Sequence, residues 1–184
     1  MGGTGKTPLV KFIASELSNR GYKPGLVSRG YGGKFSTTLE VTNDSTHKET
    51  GDEAQILAKL NLPFFLDKNR SRAAKKLQEN YDVDVIISDD GLQHYAMGRD
   101  IEIAVIDGVR RLGNGFAFPA GPLREPKSRL NEVDFIVNNG GPTEGDEILM
   151  TLSPTKFVHL NSGKEYSVDK WPMHNQVHAL AGIG

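Results

Sequence analysis

The sequence predicts an α/β fold in which a mostly parallel sheet lies between two layers of helices. A glycine-rich string, GGTGKT, passes directly into a segment with helical periodicity. Helical segments and short apolar strands then alternate along the chain. Three nearly continuous β-branched runs, VDVIIS, IEIAVID and VDFIVN, have the composition of strands that are covered on both faces.

Each element can be justified in chain order. Apolar residues recur at helical spacing from Pro8 to Arg20, and Gly21 supplies a stop signal. There follow the strand KPGLVS, which runs into RGYGG, the helix ETGDEAQILAKLN, the strand LPFFLD and the helix NRSRAAKKLQENY. After the three β-branched runs, ILMTL and KFVHL are expected to pair as a hairpin around Ser153 and Pro154. The run VHALAGIG begins one more apolar segment.

This order predicts two parts of the chain. Residues 1–144 form the α/β core, and residues 145–184 form a short hairpin linker and the beginning of a second α/β domain.

Composition excludes several classes of function. The 184 residues contain no cysteine, which rules out disulfide frameworks, thiolate zinc sites and cysteine nucleophiles. A formal net charge of -1 gives no reason to expect nucleic acid as a partner. No apolar run approaches the roughly 20 residues of a membrane span.

The opening string has the pattern of a phosphate-binding loop. Gly5, Lys6 and Thr7 complete G-x-x-x-x-G-K-[ST], although the first glycine of that pattern would fall one residue before Met1. A helix follows at once, and its N-terminus adds partial positive charge to an anion site. We therefore expect a P-loop NTPase-like fold that binds the phosphates of a nucleotide through Gly2, Gly3, Thr4, Gly5, Lys6 and Thr7. The alternative is a helix N-terminus without a ligand.

Two adjacent carboxylates follow a predicted buried strand. Asp89 and Asp90 begin the string DDGLQH, and phosphate-loop enzymes hold Mg²⁺ with an aspartate at the carboxyl end of a neighbouring strand. With Thr7, this pair predicts a Mg²⁺ site beside the phosphate loop. The alternative is a solvated turn.

Six motifs in order carry a family resemblance: GGTGKTP, SRGYGG, GDEA, DDGLQH, GNGFAFPAGPLREP and ALAGIG. The sequence closely resembles the tetraacyldisaccharide 4'-kinases, the lipid A 4'-kinases of Gram-negative bacteria. The resemblance implies ATP-dependent, Mg²⁺-assisted phosphorylation of the 4'-hydroxyl of a lipid A disaccharide 1-phosphate. It also implies a peripheral location at the cytoplasmic face of the inner membrane.

The resemblance also implies catalytic roles. Asp52, in the GDE motif, matches the residue that takes the proton of the sugar hydroxyl, and Lys6 and Asp90 act on the phosphates and the metal. Glu125 is placed with Thr7, Asp89 and Asp90 at the metal. Without the family, Asp52 is more simply a capping acid in the first turn of a helix.

Five further residues are candidates for contacts with the substrate. Arg70 and Arg72 stand at a predicted helix N-terminus, where cations oppose the helix dipole, so an anionic ligand would explain them. Arg29, His94 and Arg124 lie in the family motifs. Simple packing for His94 and solvation for Arg29 and Arg124 remain alternatives.

The chain also departs from the family. Members begin with an apolar, membrane-associating segment and a strand that leads into the phosphate loop, and they continue past AGIG to a histidine that pairs with the GDE aspartate. We therefore expect a piece of a larger kinase, marginally stable alone because strand edges lack partners. Two other functions stay open, another P-loop ATPase and a non-catalytic nucleotide-binding module. The absence of Asn-Lys-x-Asp disfavours a GTPase.

Overall fold

The structure is a computed structural model that describes residues 3–170. Its helices are α1 (Lys6–Asn19), α2 (His47–Thr50), α3 (Asp52–Ala58) and α4 (Arg70–Asn80), with 3-10 turns at Lys127–Asn131 and Val168–Lys170. Its strands are β1 (Pro24–Ser28), β2 (Leu39–Glu40), β3 (Phe64–Leu66), β4 (Val85–Ser88), β5 (Ile103–Asp107), β6 (Phe135–Asn139), β7 (Ile148–Met150), β8 (Lys156–Val158) and β9 (Glu165–Ser167).

The first sheet has the strand order β2-β3-β1-β4. Strand β1 is central, and its residue Leu26 pairs in parallel with Phe64 of β3 and with Ile87 of β4. The short β2 is antiparallel to β3 and forms one edge. Parallel pairing requires crossovers, and the helices between these strands provide them.

Helices cover both faces of this sheet. On one face, Val10 and Ala14 of α1 pack with Leu26, Phe64 and other apolar side chains in one buried cluster. On the other face, a second cluster joins Val27, Phe65, Ala73 and Leu77, of which the last two belong to α4. Since Leu26 and Val27 are neighbours in β1, the alternation of a strand separates the two clusters.

The second sheet is parallel, with the order β5-β6-β7. Val105 of β5 pairs with Val137 of β6, which pairs with Ile148 of β7. The expected hairpin of ILMTL with KFVHL is wrong. Residues Ile148–Met150 instead form β7 of the second sheet, and β8 forms its hairpin with β9.

One other expectation differs from the structure. The predicted helix ETGDEAQILAKLN is two helices, because Gly51 has φ +82° and interrupts the helical path between α2 and α3. Strand β7 of the second sheet lies after residue 144 in the chain. The division of the chain into two domains stays a prediction, and VHALAGIG lies outside the described residues.

A break separates the two sheets. Within residues 3–170, β4 pairs only with β1 and β5 pairs only with β6, so each has one open edge. Among these residues, no helix has the length and apolar character needed to cross a membrane.

Candidate functional site

The phosphate loop has a conformation that requires glycine. Gly3 and Gly5 have φ values of +82° and +93°, in the left-handed region that other residues rarely adopt. A Cβ on Gly5 would lie 2.7 Å from Nδ2 of Asn139 and 2.9 Å from Cε of Met150. The Asn139 amide donates a hydrogen bond to the Thr4 carbonyl at 3.2 Å, which ties the loop to the end of β6.

Helix α1 begins directly behind the loop, at Lys6. The free N–H groups of its first turn and its dipole therefore face the same end of the sheet as the loop. Lys6 Nζ lies 3.6 Å from Oδ1 of Asp90 and donates to Thr4 Oγ1 at 3.4 Å. Thr7 follows in the first turn of α1. The structure thus brings the predicted lysine to the predicted acidic pair.

Asp89 is almost fully buried at the end of β4. Its backbone N–H donates to the Val27 carbonyl at 3.0 Å, which extends the pairing of β4 with β1. The side-chain atom Oδ1 is buried without a hydrogen-bond partner among the described residues. Burial, helped by the negative charges of Glu53 and Asp90, raises the pKa of Asp89 to about 6. This carboxylate has unsatisfied capacity for a cation.

Asp90 has the opposite electrostatic environment. Arg124 Nη1 lies 2.8 Å and 2.7 Å from its two carboxylate oxygens, and Arg70 Nη2 donates to its backbone carbonyl at 2.7 Å. Burial alone would raise the pKa of Asp90, but the Arg124 hydrogen bond and the charges of Lys6, Arg124 and Arg70 hold it below its ordinary value. Asp90 therefore stays ionised, whereas the pKa of the neighbouring Asp89 is raised.

The GDE turn packs against the RGYGG loop through backbone atoms. A Cβ on Gly51 would clash with the Tyr31 carbonyl, and one on Gly33 would clash with the carbonyl of Glu49. Lys34 N–H donates to the Lys48 carbonyl at 3.0 Å and closes this contact. The turn fixes the start of α3, where Asp52 is exposed to solvent.

The whole chain matches one protein family. The sequence model of the family described as tetraacyldisaccharide-1-P 4'-kinase matches residues 1–184. The chain belongs to the tetraacyldisaccharide 4'-kinase family. The predicted family is therefore confirmed.

Relatives in this family are longer proteins. The chain is 50% identical over its whole length to a tetraacyldisaccharide 4'-kinase of Shewanella frigidimarina, and 48% identical to one of Methylobacillus flagellatus. It covers 54% and 56% of those two proteins, so it spans about half the length of the curated relatives it matches.

A solved structure shows the same fold. The crystal structure of LpxK from Aquifex aeolicus in complex with ATP is 27% identical to the chain and superposes with a TM-score of 0.76. The match covers 92% of this chain and 56% of that one. The predicted α/β class, with its mainly parallel sheet and P-loop kinase fold, is confirmed.

The arginines at the start of α4 have partners inside the protein. Arg72 donates through Nε and Nη2 to the buried carboxylate of Asp67, at 2.6 and 2.8 Å. Arg70 is buried and reaches the Asp90 carbonyl. These internal acceptors explain how two arginines can stand at a helix N-terminus without an external anion. The substrate role of both residues stays a prediction. Arg70 Nε nevertheless has no hydrogen-bond partner among the described residues.

Arg29 and His94 stand around Arg70. Burial, and then the positive charges of Arg70, Arg99 and Arg29, lowers the pKa of His94. The buried His94 Nε2 atom has no hydrogen-bond partner in the described part of the chain. Arg29 is exposed at the end of β1. Among residues 3–170, two polar atoms without hydrogen-bond partners, on Arg70 and His94, thus lie in one group of cations.

Glu125 does not join the acidic pair. It accepts a hydrogen bond from the Tyr95 hydroxyl at 2.8 Å, and its Oε2 lies 3.4 Å from Arg129 Nε. Residues 3–170 contain no group of three or more histidine or acidic side chains arranged to hold a metal. The expected four-residue metal set is therefore not brought together in this structure. Gly2, also expected in the phosphate loop, lies outside the described residues.

Two residues that act on the site were not predicted from the sequence. Glu53 follows Asp52 in the GDE motif, and its charge acts on Asp89, a signal that the motif itself contained. Arg99 donates to the carbonyls of Gly91 and Leu92 at 3.1 and 3.0 Å and so supports the DDGLQH loop. No local pattern around Arg99 indicated that role.

Proposed function

We propose that the chain provides the nucleotide-binding part of a kinase that uses ATP to phosphorylate the 4'-hydroxyl of a tetraacyldisaccharide 1-phosphate, in lipid A biosynthesis. The observation that carries the proposal is the approach of Lys6, on a glycine-dependent phosphate loop, to the Asp89–Asp90 pair at the end of β4. Membership of the family supports it.

The phosphate loop would bind the ATP phosphates. Its backbone N–H groups and the positive end of α1 favour a multiply charged anion, and Lys6 would move from Asp90 to the β- and γ-phosphates. The Aquifex aeolicus LpxK structure, which is a complex with ATP, supports this ligand.

Mg²⁺ fits the residues present. Within residues 3–170, the buried Oδ1 of Asp89 has no hydrogen-bond partner, and it is a hard oxygen ligand. Thr7 and Asp90 lie on the adjoining loop and strand end. These three residues would hold the ion, which when bound neutralises charge on the transferring phosphoryl group. Since the raised pKa of Asp89 lies near 6, most of this carboxyl is ionised at neutral pH.

Arg124 would be released from Asp90 during the reaction. Its side chain is 43% exposed and holds both carboxylate oxygens through one nitrogen, Nη1. A cation that takes over Asp90 frees this guanidinium, which can then pair with phosphate oxygens.

Asp52 would accept the proton of the sugar hydroxyl. Its exposed position at the start of α3, fixed by the glycine contact of Gly51 with the RGYGG loop, suits a group that meets an incoming substrate. Phosphoryl transfer has a loose transition state, so a carboxylate that aligns the hydroxyl and takes the proton late is sufficient.

The acceptor's own phosphate would be recognised by cations near Asp90. Arg29 is exposed, and its charge acts on both Arg70 and His94. In the described part of the chain, Arg70 Nε and His94 Nε2 have no hydrogen-bond partner. With this substrate, the protein would act at the cytoplasmic face of the inner membrane.

The test is transfer of labelled γ-phosphate from ATP to tetraacyldisaccharide 1-phosphate by the product of the full gene. Asp52→Ala should lose transfer by at least roughly 100-fold while it keeps ATP binding. Asp44→Ala, at an exposed turn, is the matched control and should keep activity. Absence of transfer by the unmodified protein would exclude the kinase, and full activity of Asp52→Ala would exclude only the base.

A further inference from the structure

Asp90 presents its carboxylate to Lys6 and Arg124 from an unusual backbone conformation. Its φ is +52°, in the left-handed region that residues other than glycine adopt uncommonly. Among residues 3–170, the other non-glycine residues with positive φ are Asn61 and Arg111. Such a conformation persists where the surrounding contacts enforce it. The contacts of this turn therefore decide where the Asp90 carboxylate lies.

Two arginines hold the backbone of the turn that begins at Asp90. Arg70 Nη2 donates to the Asp90 carbonyl at 2.7 Å. Arg99 Nη1 donates to the next two carbonyls, those of Gly91 and Leu92, at 3.1 and 3.0 Å. Three consecutive carbonyls thus accept charge-assisted hydrogen bonds. Since Arg70 begins α4 and Arg99 lies between β4 and β5, two separate segments hold the turn.

Arg99 is itself fixed by a largely buried carboxylate. Its Nε lies 2.6 Å from Oε1 of Glu102, and the two side chains are only 21% and 13% exposed. Arg129 Nη2 donates to both carboxylate oxygens of Glu102, at 2.7 and 2.6 Å. The guanidinium carbon of Arg99 also lies 5.4 Å from the centre of the Tyr95 ring. These contacts orient the planar fork of Arg99, with Nε toward Glu102 and Nη1 toward the turn.

Glu102 also connects the turn to the segment GPLREP. Its partner Arg129 lies, through Nε, 3.4 Å from Oε2 of Glu125. The residue before Glu125 is Arg124, which holds the Asp90 carboxylate. The backbone turn and the side chain of Asp90 are therefore held from two ends of one set of connected contacts, with Glu102 at its centre.

We propose that Arg99 is a positioning residue for phosphoryl transfer, oriented by Glu102, and that it sets the position of the Asp90 carboxylate beside Lys6. The inference rests on the proposed kinase function. Arg99 acts through the backbone of residues 90–92 and not through a contact with ATP or the acceptor. Phosphoryl transfer depends on the positions of charged groups, and a displacement of roughly 1 Å can cost about a hundredfold in rate.

The first test is Arg99→Lys in the product of the full gene. Lysine keeps the charge but has a single nitrogen, which cannot reproduce the fork that meets Glu102 and both carbonyls. At saturating ATP and acceptor, kcat should fall at least roughly tenfold, whereas KM for ATP should stay within about twofold. Glu102→Gln removes the charge that orients Arg99 and should also lower kcat. Glu102→Asp keeps that charge and should lower kcat less.

Arg111→Lys is the matched control. Arg111 is covered to a similar degree, at 24% exposed, and its guanidinium pairs with Glu147 through two nitrogens. Both lysine variants should have a lower Tm, because each weakens an ion pair. Arg111→Lys should nevertheless keep kcat within about twofold of the unmodified value, when both are assayed well below their Tm. A purely structural role of Arg99 would leave kcat equally unchanged in Arg99→Lys.

Hydrogen exchange tests the contact without catalysis. The amide of His94 donates to the Gly91 carbonyl and that of Met97 to the His94 carbonyl, so both report on the turn. In Arg99→Lys without ligand, amides of residues 91–97 should exchange at least roughly threefold faster than in the unmodified protein. Amides of α1 should exchange at the same rate in both proteins.

Two results would overturn the inference alone. They are an unchanged kcat in Arg99→Lys while the unmodified protein transfers phosphate, and unchanged exchange of residues 91–97 in that variant. Absence of transfer by the unmodified protein would exclude the proposed kinase function, and the inference that rests on it would be overturned with it.

Discussion

At neutral pH, the buried Asp89 carboxylate lowers the free energy of unfolding of the protein. Its pKa of about 6 in the fold lies above the ordinary value of 3.8, so the folded state binds the proton more tightly than the unfolded state. The sign of the linkage follows: its contribution to stability is largest below pH 4 and is lost as pH rises through 6.

Asp89→Asn should remove this pH dependence. Between pH 5 and pH 7.5, the unmodified protein should lose roughly 1.4 kcal/mol of unfolding free energy through this one group, and the variant should not. Urea unfolding at the two pH values measures the difference. Mg²⁺ should raise the Tm of the unmodified protein at pH 7.5 and leave that of the variant unchanged. An identical Mg²⁺ response in both would contradict the assignment of Asp89 as a ligand.

Gly5 has a left-handed backbone conformation, and a side chain at this position would also clash with Asn139. Gly21 has a similar φ of +86°, but a Cβ there would meet nothing within 4 Å. Gly21→Ala should therefore cost only the backbone strain, roughly 1–2 kcal/mol, and Gly5→Ala should cost more. Urea unfolding compares the two. ATP binding, followed by calorimetry, should be lost in Gly5→Ala and kept in Gly21→Ala; loss in both would mean that strain, and not the loop, is responsible.

At the scale of elements, α4 is anchored through a carboxylate that precedes it. Asp67 is buried and accepts hydrogen bonds from Arg72, from the Thr38 hydroxyl and from the backbone N–H of Asn69. Burial alone would raise its pKa, but these donors hold the pKa of Asp67 below its ordinary value. Its stabilising effect is therefore present at neutral pH and is lost as the solution becomes strongly acidic.

Asp67→Asn should destabilise the protein by about 2 kcal/mol at pH 7, because Arg72 and Thr38 lose a charged acceptor. Thermal unfolding at pH 7 measures this. The control is Asp82→Asn, which removes the exposed partner of Lys23 and should change stability little. Equal effects of the two substitutions would show that Asp67 is not the anchor.

Elements with strong local signals could be predicted from sequence. The periodicity behind the phosphate loop indicated α1, and the β-branched runs indicated β4, β5 and β6 to within two residues at each end. The partner of β7 could not be predicted, because a short apolar strand carries no mark of its neighbour. The internal partners of the cations at α4 could not be predicted, because Asp67 and the Asp90 carbonyl belong to other elements.

At the scale of the whole molecule, the end of the second sheet is tied to the phosphate loop by a hydrogen bond. Asn139 at the end of β6 donates to the Thr4 carbonyl, whereas the contact of Lys6 with Asp90 joins α1 to the end of β4 in the first sheet. Within the second sheet, Arg111, just after β5, pairs with Glu147 at 2.8 Å through two nitrogens, which lowers the pKa of Glu147 to about 2. This ion pair joins the segment after β5 to the segment before β7 within the second sheet.

Hydrogen exchange should report this division. Amides of β1, which has strands on both sides, should be protected most strongly. Those on the open edges of β4 and β5 should exchange at least tenfold faster. Mass spectrometry with peptide resolution makes the comparison. Uniform protection across β1, β4 and β5 would contradict an open edge.

The most direct test of a nucleotide site at the phosphate loop is calorimetric titration of the 184-residue chain with ATP and Mg²⁺. Binding at one site should be lost in Lys6→Ala and kept in Lys11→Ala, which removes an exposed lysine from the same helix. Binding that survives Lys6→Ala, or no binding by the unmodified chain, would contradict a nucleotide site at the phosphate loop.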